Sequence, residues 1–360
     1  MRSWLMAIAA LAGGVAPGSA PEGLAQTLQP GAVAEGASFD PAAAGFPAFV
    51  ETLRAQALRA GIRPATLDAV LPTLSYNPRV IELDHAQPGQ STSSTPGTIN
   101  FAPYREKHVT SERIARGRNA YQSVRPQLQR IETETGVPES VMVAIWGNET
   151  DYGGFTGNFD LLRSLATLAY DGRRRDLFTA EFIDTLKLLD EGVPREKLKG
   201  SWAGATGYPQ FLPSMYLRLG KDGDGDGKVD IWSDRADALA SIGNYLLHAG
   251  WTPGEPWGIA VSVPSTLDRA AIATRLAAPR CPKVFARLSR WMTLAEWKRL
   301  GVVPVSASWV DPQRMAALIE PDGPGATAYL TFGNYRAILD YNCSNFYALS
   351  VGLLADAVSQ

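Results

Sequence analysis

Apolar positions recur at helical spacing through most of this chain and at strand spacing only near its end. FPAFVETLRAQALRAGI, from Phe46, carries apolar residues every three or four positions and closes on Gly61, which predicts a helix. QPGQSTSSTPGT, Gln87 to Thr98, is polar and rich in Pro and Gly, and reads as an extended surface connection. A long helix is expected over roughly Ser111–Thr135. Pro138 then stands in the first turn of the next helix, a position that tolerates proline. In VAIWGNETDYGG, Val143 to Gly154, helical geometry lines up Met142, Ile145 and Trp146 with Glu149 and turns Asp151 roughly the opposite way. Further helices fit Leu161–Tyr170, Arg174–Glu191, Ser214–Leu219 and Asp237–Ala249, the last closed by Gly250. After Trp257 the texture changes: β-prone runs at Ile259–Val263 and Ala326–Phe332 alternate with helices near Leu294–Leu300, Tyr335–Tyr341 and Phe346–Ala357. No internal repeat is present. The fold class is mainly α, with some strand in the last hundred residues.

The first residues add an address. MRSWLMAIAALAGG places one arginine before an apolar run that is too short to span a bilayer, and small residues follow. Residues 1–25 are expected to be a signal peptide cleaved after Ala25, and residues 26–45 a disordered lead-in. No cysteine lies near that cleavage point, so the mature chain is expected to be soluble without a lipid anchor. A formal net charge of −2 and the lack of a basic run give no electrostatic case for nucleic acid. Three scattered histidines (His85, His108, His248) do not make a zinc site. Cys281 and Cys343 either pair in an oxidising compartment or stay as separate buried thiols, and the sequence leaves both open.

Three segments carry candidate chemistry. Glu149 ends an apolar stripe, and burial there would raise its pKa until the acid form can protonate a leaving oxygen. The plainer alternative is a helix-end glutamate that caps backbone or pairs with an arginine. In KDGDGDGKVDIWSDRAD, Asp222, Asp224 and Asp226 take positions 1, 3 and 5 of a calcium loop, with Gly227 at the turn and the Lys228 carbonyl next. Ser233 stands where the bidentate glutamate belongs, so Asp237 or Asp234 is expected to supply the last ligand of a structural Ca2+ site. In GSWAGATGYPQFLPSMY, small residues permit close backbone approach, and Tyr208, Gln210 and Phe211 offer stacking faces and an amide suited to a sugar. No second carboxylate pairs with Glu149, and there is no nucleophile elbow, phosphate loop or dinucleotide fingerprint.

Taken in order, AIWGNETDYGGFTGNFDLLRSLATLAYDGRRRDLF, LKGSWAGATGYPQFLPSMY, DGDGDGKVDIWSDRADALASIGNYLLHAGW and NYRAILDYNCSNFYALSVGLLAD resemble the lytic murein transglycosylase B family, glycoside hydrolase family 103. The likeness runs from about Phe46 to Ala357. It implies a lysozyme-like helical catalytic core over residues 46–258, which includes an EF-hand-like calcium loop at 222–237. An α+β part over 259–360 is expected to complete the cleft. It further implies a periplasmic address and peptidoglycan glycan strands as substrate; a monomer is expected, although the sequence leaves oligomeric state open. By the resemblance Glu149 is the single catalytic acid and base, while Ser201, Gln210, Tyr245 and Asn342 match positions that line the glycan cleft. Cys343 follows Asn342 where the family pattern suggests a charged residue, a departure that marks a disulfide as one reading. No additional peptidoglycan-binding module is expected. The implied reaction gives 1,6-anhydromuramyl ends and requires no cofactor for its chemistry. A muramidase that admits water and a non-catalytic peptidoglycan-binding scaffold are the alternatives.

Overall fold

The computed structural model describes residues 43–86, 100–275, 278, 280–306 and 311–360. The expected signal peptide, most of the lead-in before residue 46 and the connection Gln87–Thr98 lie outside these residues. No described helix is long and apolar enough to cross a membrane.

The architecture is mainly helical, as the periodicity predicts. Helices α1 (Phe46–Arg59), α2 (Pro64–Val70) and α3 (Pro78–His85) pack with α8 (Leu161–Asp171) and α9 (Arg175–Asp190) around Leu53, Leu67, Leu165, Phe178 and Phe182. A second core gathers α4 (Phe101–His108), α5 (Ser111–Ser123), α6 (Arg125–Thr135), α10 (Pro213–Leu219) and α11 (Arg235–His248) about α7 (Glu139–Thr150). The helices α15 (Gly333–Tyr341) and α16 (Asn345–Val358), last in the chain, return to this same core, and α16 lies along α7. The chain therefore closes its central helix with residues that arrive about two hundred positions later.

The expected Ser111–Thr135 helix is in fact two. Pro126 disfavours helical backbone at the residue before it and has no N–H to donate. The break sits at Val124 (φ −123°, ψ 13°), and α6 starts with the proline in its first turn. Helices α2, α3 and α4 have no counterpart in the sequence reading; each is eight residues or shorter, too short for periodicity to declare itself.

A small antiparallel sheet carries the strand content. Strands β3 (Gly258–Ser262), β4 (Met292–Thr293), β5 (Val303–Pro304), β6 (Met315–Ile319) and β7 (Ala328–Thr331) order as β4-β6-β7-β3-β5, with Leu318 opposite Leu330 and Val261 opposite Ala328. One face packs on α14 (Leu294–Arg299) through Trp297, Val302 and Phe332. Strands β1 (Phe159–Asp160) and β2 (Lys199–Gly200) form a separate ribbon that brings the 200–212 loop towards α8. The remaining short helices are α12 (Arg269–Ile272) and α13 (Pro282–Phe285).

Cys281 and Cys343 are joined in a disulfide, with Cα atoms 5.9 Å apart. It pins the start of α13 to the turn between α15 and α16 across a separation of 62 residues. Chain-entropy arguments for a loop of that length give a stabilisation of about 4 kcal/mol. The double variant Cys281→Ser/Cys343→Ser is expected to unfold at correspondingly lower denaturant, and an unchanged midpoint would contradict this.

Candidate active site

Helix α7 explains why an apolar run ends in a carboxylate. Residues Val141 to Gly147 are all buried, so the helix is apolar all round and central rather than striped. Glu149 stands where this helix emerges. The helix stops at Asp151 (φ 53°), and Tyr152 (φ 61°) continues in the same left-handed region, a strained pair stabilised by its surroundings. Arg116 holds the Asp151 carboxylate at 2.8 Å and Arg113 at 3.5 Å. Tyr152 folds back over the helix, donating its hydroxyl to the Arg113 carbonyl at 3.1 Å. Its ring lies so close to Gly147 that a Cβ there would meet Cζ at 2.5 Å, which is why glycine occurs mid-helix.

Glu149 keeps part of its surface open yet is ringed by protein. Its Oε1 accepts a hydrogen bond of 2.7 Å from the Tyr347 hydroxyl. Desolvation dominates and pushes the Glu149 carboxyl up to about 7, with the Tyr347 bond opposing. Three tyrosines surround the acid: the hydroxyls of Tyr104, Tyr341 and Tyr347 are all raised, first by burial and then by the Glu149 charge. No carboxylate among the described residues perturbs Glu149, and Asp151 is turned away into its arginine pair.

The 200–212 loop lies against the end of α7. The Tyr208 ring packs on Trp146 at 5.9 Å, and the Thr150 hydroxyl donates to the Tyr208 carbonyl at 3.3 Å. Ser201 sits in this loop and accepts from the Ala205 N–H at 3.0 Å. Gln210 takes a left-handed backbone (φ 51°), and its amide donates to the Thr156 and Gly207 carbonyls, so both of its hydrogens are used within the loop. Phe211 is only 3% exposed, packed on Tyr245 and Tyr341. The expected stacking face therefore excludes it, because the ring is buried against those two tyrosines. Tyr245 is likewise buried, 4.7 Å from Tyr341, and donates to Asp340. Asn342 ends α15 beside Tyr341, with a buried Oδ1 that has no partner among the described residues. Ring contacts thus join Tyr208 to Trp146 and Phe211 and Tyr245 to Tyr341, whereas Ser201 and Gln210 bond within their own loop and Asn342 only follows Tyr341 in the chain. Tyr347, Tyr341 and Tyr104 are absent from the sequence-based set. Tyr347 lies 198 residues from Glu149, and no local pattern announces the contact.

The aspartate loop is joined to the Tyr208 segment by a backbone hydrogen bond. Carboxylate oxygens of Asp222, Asp224 and Asp237 lie within 4.8 Å of one another. Asp226, expected among the ligands, instead turns its carboxylate to the Lys228 N–H at 2.8 Å. Asp234 caps α11, and Ser233 bonds Asp230 and Lys197, so Asp237 is the residue that completes the cluster. None of the three clustered aspartates has an arginine or lysine partner among the described residues. Three close carboxylates without a cation repel one another, and an all-oxygen donor set of this kind fits a hard divalent ion. The bond to the Tyr208 segment is made by the Ile231 carbonyl, which accepts from the Tyr208 N–H at 2.8 Å.

Residues 45–356 match the family described as transglycosylase SLT domain. The chain is 31% identical over 259 residues to the membrane-bound lytic murein transglycosylase B of Escherichia coli (strain K12). That alignment covers 71% of this chain and 66% of the relative, just under two thirds of its length. Among solved structures, SltB3 from Pseudomonas aeruginosa in complex with NAG-anhNAM-pentapeptide is similar with a TM-score of 0.77 at 36% identity, covering 87% of this chain and 79% of that one. The Escherichia coli lytic transglycosylase Slt35 in complex with calcium gives a TM-score of 0.70 at 26% identity, covering 88% and 93%.

Proposed function

The chain belongs to the transglycosylase SLT domain family, and from that premise we propose that it is a periplasmic lytic transglycosylase that cleaves peptidoglycan strands between N-acetylmuramic acid and N-acetylglucosamine. The observation that carries this reading is the lone carboxyl. Glu149 is half-buried, raised to about 7 and free of any second carboxylate, so it is protonated in a large fraction of molecules near neutral pH.

A glycosidase that relies on two protein carboxylates would find no second one beside Glu149 among the described residues. One carboxyl suffices when the nucleophile belongs to the substrate. The Glu149 proton passes to the linking oxygen and the C1–O4 bond breaks. The 2-acetamido group of the muramic residue stabilises the cationic C1. The C6 hydroxyl of that residue then attacks C1, and its proton returns to the Glu149 carboxylate. A 1,6-anhydro ring forms, no water is consumed, and the enzyme ends in its starting state. Intramolecular attack of this kind carries a large effective concentration. Tyr347 orients the carboxyl through Oε1 and leaves Oε2 for the proton transfers.

Mass analysis of products from purified sacculi tests the reading. Anhydro-ended muropeptides without reducing termini are expected. Reducing muramic ends would assign the protein to the hydrolytic muramidases, and an absence of any product would leave a binding scaffold.

The reading extends to calcium. Asp222, Asp224 and Asp237 would hold the ion, and its role is structural, bracing the loop bonded to Tyr208. Calcium at about a hundred times its dissociation constant is expected to stabilise the fold by about 2.7 kcal/mol. Asp224→Ala should abolish the rise in melting temperature, and Asp226→Ala, whose carboxylate sits outside the cluster, should weaken it less. No rise in the parent protein would dispose of the site.

A further inference from the structure

Between Asp268 and Glu296 the chain holds Arg269, Arg275, Arg280, Lys283, Arg287 and Arg290 and no acid. Two of these are neutralised by ion pairs, Arg269 with Glu320 and Arg280 with Asp340. Arg287 is exposed and has no acid partner among the described residues; its guanidinium lies 5.7 Å from the Phe346 ring centre. Arg336, from α15, reaches the same segment and is sandwiched between Phe285 and Trp291, 4.7 Å from each ring. Its Nε is buried, and among the described residues it has no hydrogen-bond partner and no carboxylate perturbs the guanidinium. A half-buried guanidinium held rigidly by two rings, with a second one nearby on another aromatic face, is preorganised for a planar anion.

Position says which anion. Phe346, under Arg287, is also 5.7 Å from the Tyr104 ring, and it directly precedes Tyr347, whose hydroxyl touches Glu149. The Asn345 side chain ties this point to α13 by donating to the Val284 carbonyl at 2.8 Å. The basic face thus begins one aromatic side chain away from the residues around the reacting bond. A peptide carried by the muramic residue there would emerge next to it, and five extended residues reach about 17 Å.

We propose that Arg287 and Arg336, framed by Phe285, Trp291 and Phe346, bind carboxylate groups of the peptide borne by the glycan strand. The proposal rests on the peptidoglycan reading above. The alternative for a cationic face, an anionic lipid surface, is disfavoured because the aromatic rings here are half-buried. The exposed large apolar side chains (Leu58, Phe155, Leu247, Leu300, Val303, Val305 and Met315) lie outside this group.

The test measures binding of the full chain carrying Glu149→Gln, so that turnover does not intervene. The probes are a muramic-containing tetrasaccharide with its peptides, the same sugar with the peptide carboxylates amidated, and the sugar stripped of peptide. The free-carboxylate form is expected to bind on the order of tenfold more tightly than either other form, as one charge-assisted bidentate contact allows. Adding Arg287→Glu should remove that advantage. Arg336→Lys, which keeps the charge and loses the planar fork, should reduce it. Equal binding of the three sugars, or an advantage that survives Arg287→Glu, overturns the proposal and leaves the catalytic reading standing. Failure of every sugar to bind overturns both. Binding to anionic vesicles that Arg287→Glu abolishes, with no difference among the sugars, would assign the face to a membrane instead.

Discussion

Glu149→Gln is expected to lower strand cleavage by about 10^4-fold or more, since a single acid–base role is worth 10²–10⁴ and Glu149 serves two. The fold should not suffer, and its pH response should change in a calculable direction. Burial raises the Glu149 pKa from its ordinary 4.5 to about 7 in the folded protein. Below pH 4.5 the group is neutral whether the chain is folded or not, and burial carries no electrostatic penalty. As pH rises from 4.5 to 7 the unfolded chain releases its proton first, so the wild type loses stability; above 7 the loss is constant. Glutamine has no proton to lose. The variant should therefore melt together with wild type at pH 4 and above it at pH 8. An inactive variant with that pattern separates loss of the acid from loss of structure. A variant less stable at every pH would remove the desolvation argument.

Tyr347→Phe carries the second large expectation. Cleavage by wild type should hold a plateau on the acid side and fall about tenfold per pH unit once pH passes about 7, because only protonated Glu149 starts the reaction. With one titrating carboxyl, no matching acidic limb is expected, unlike the bell given by an enzyme that needs one acid and one carboxylate. The Tyr347 hydrogen bond to Oε1 favours the charged form and holds the Glu149 pKa down. Removing it should move the alkaline limb to higher pH. It should also lower the acid-side plateau by roughly tenfold, through lost orientation of a charge-bearing group. A variant whose limb stays in place would show that Tyr347 packs beside the acid without governing it.

Residues close in sequence were the legible part of this protein. Pro138 placed the start of α7, the apolar run gave its body and Glu149 its end, because those signals act within a turn or two of helix. The alternating aspartates before Gly227 marked a tight acidic loop for the same reason, although not which carboxylates converge. There, local hydrogen bonding turned Asp226 to the Lys228 N–H, and the first turn of α11 delivered Asp237. Pro126 also marks the break between α5 and α6 in the sequence, a signal the expected single helix over Ser111–Thr135 did not use.

What the sequence determined by itself was most of the longer helices, the acid at the end of one of them and the loop residues near it. Only the tertiary structure decided that α7 is buried on all sides, that Phe211 and Tyr245 are buried against each other, that Cys281 meets Cys343, and that Tyr347 reaches Glu149. The reason is physical. Helix and turn preferences arise from backbone sterics and hydrogen bonds between near neighbours, whereas desolvation and the partners of a buried acid depend on whole elements packing together. In this chain α16, at the far end, supplies the hydroxyl that touches the acid.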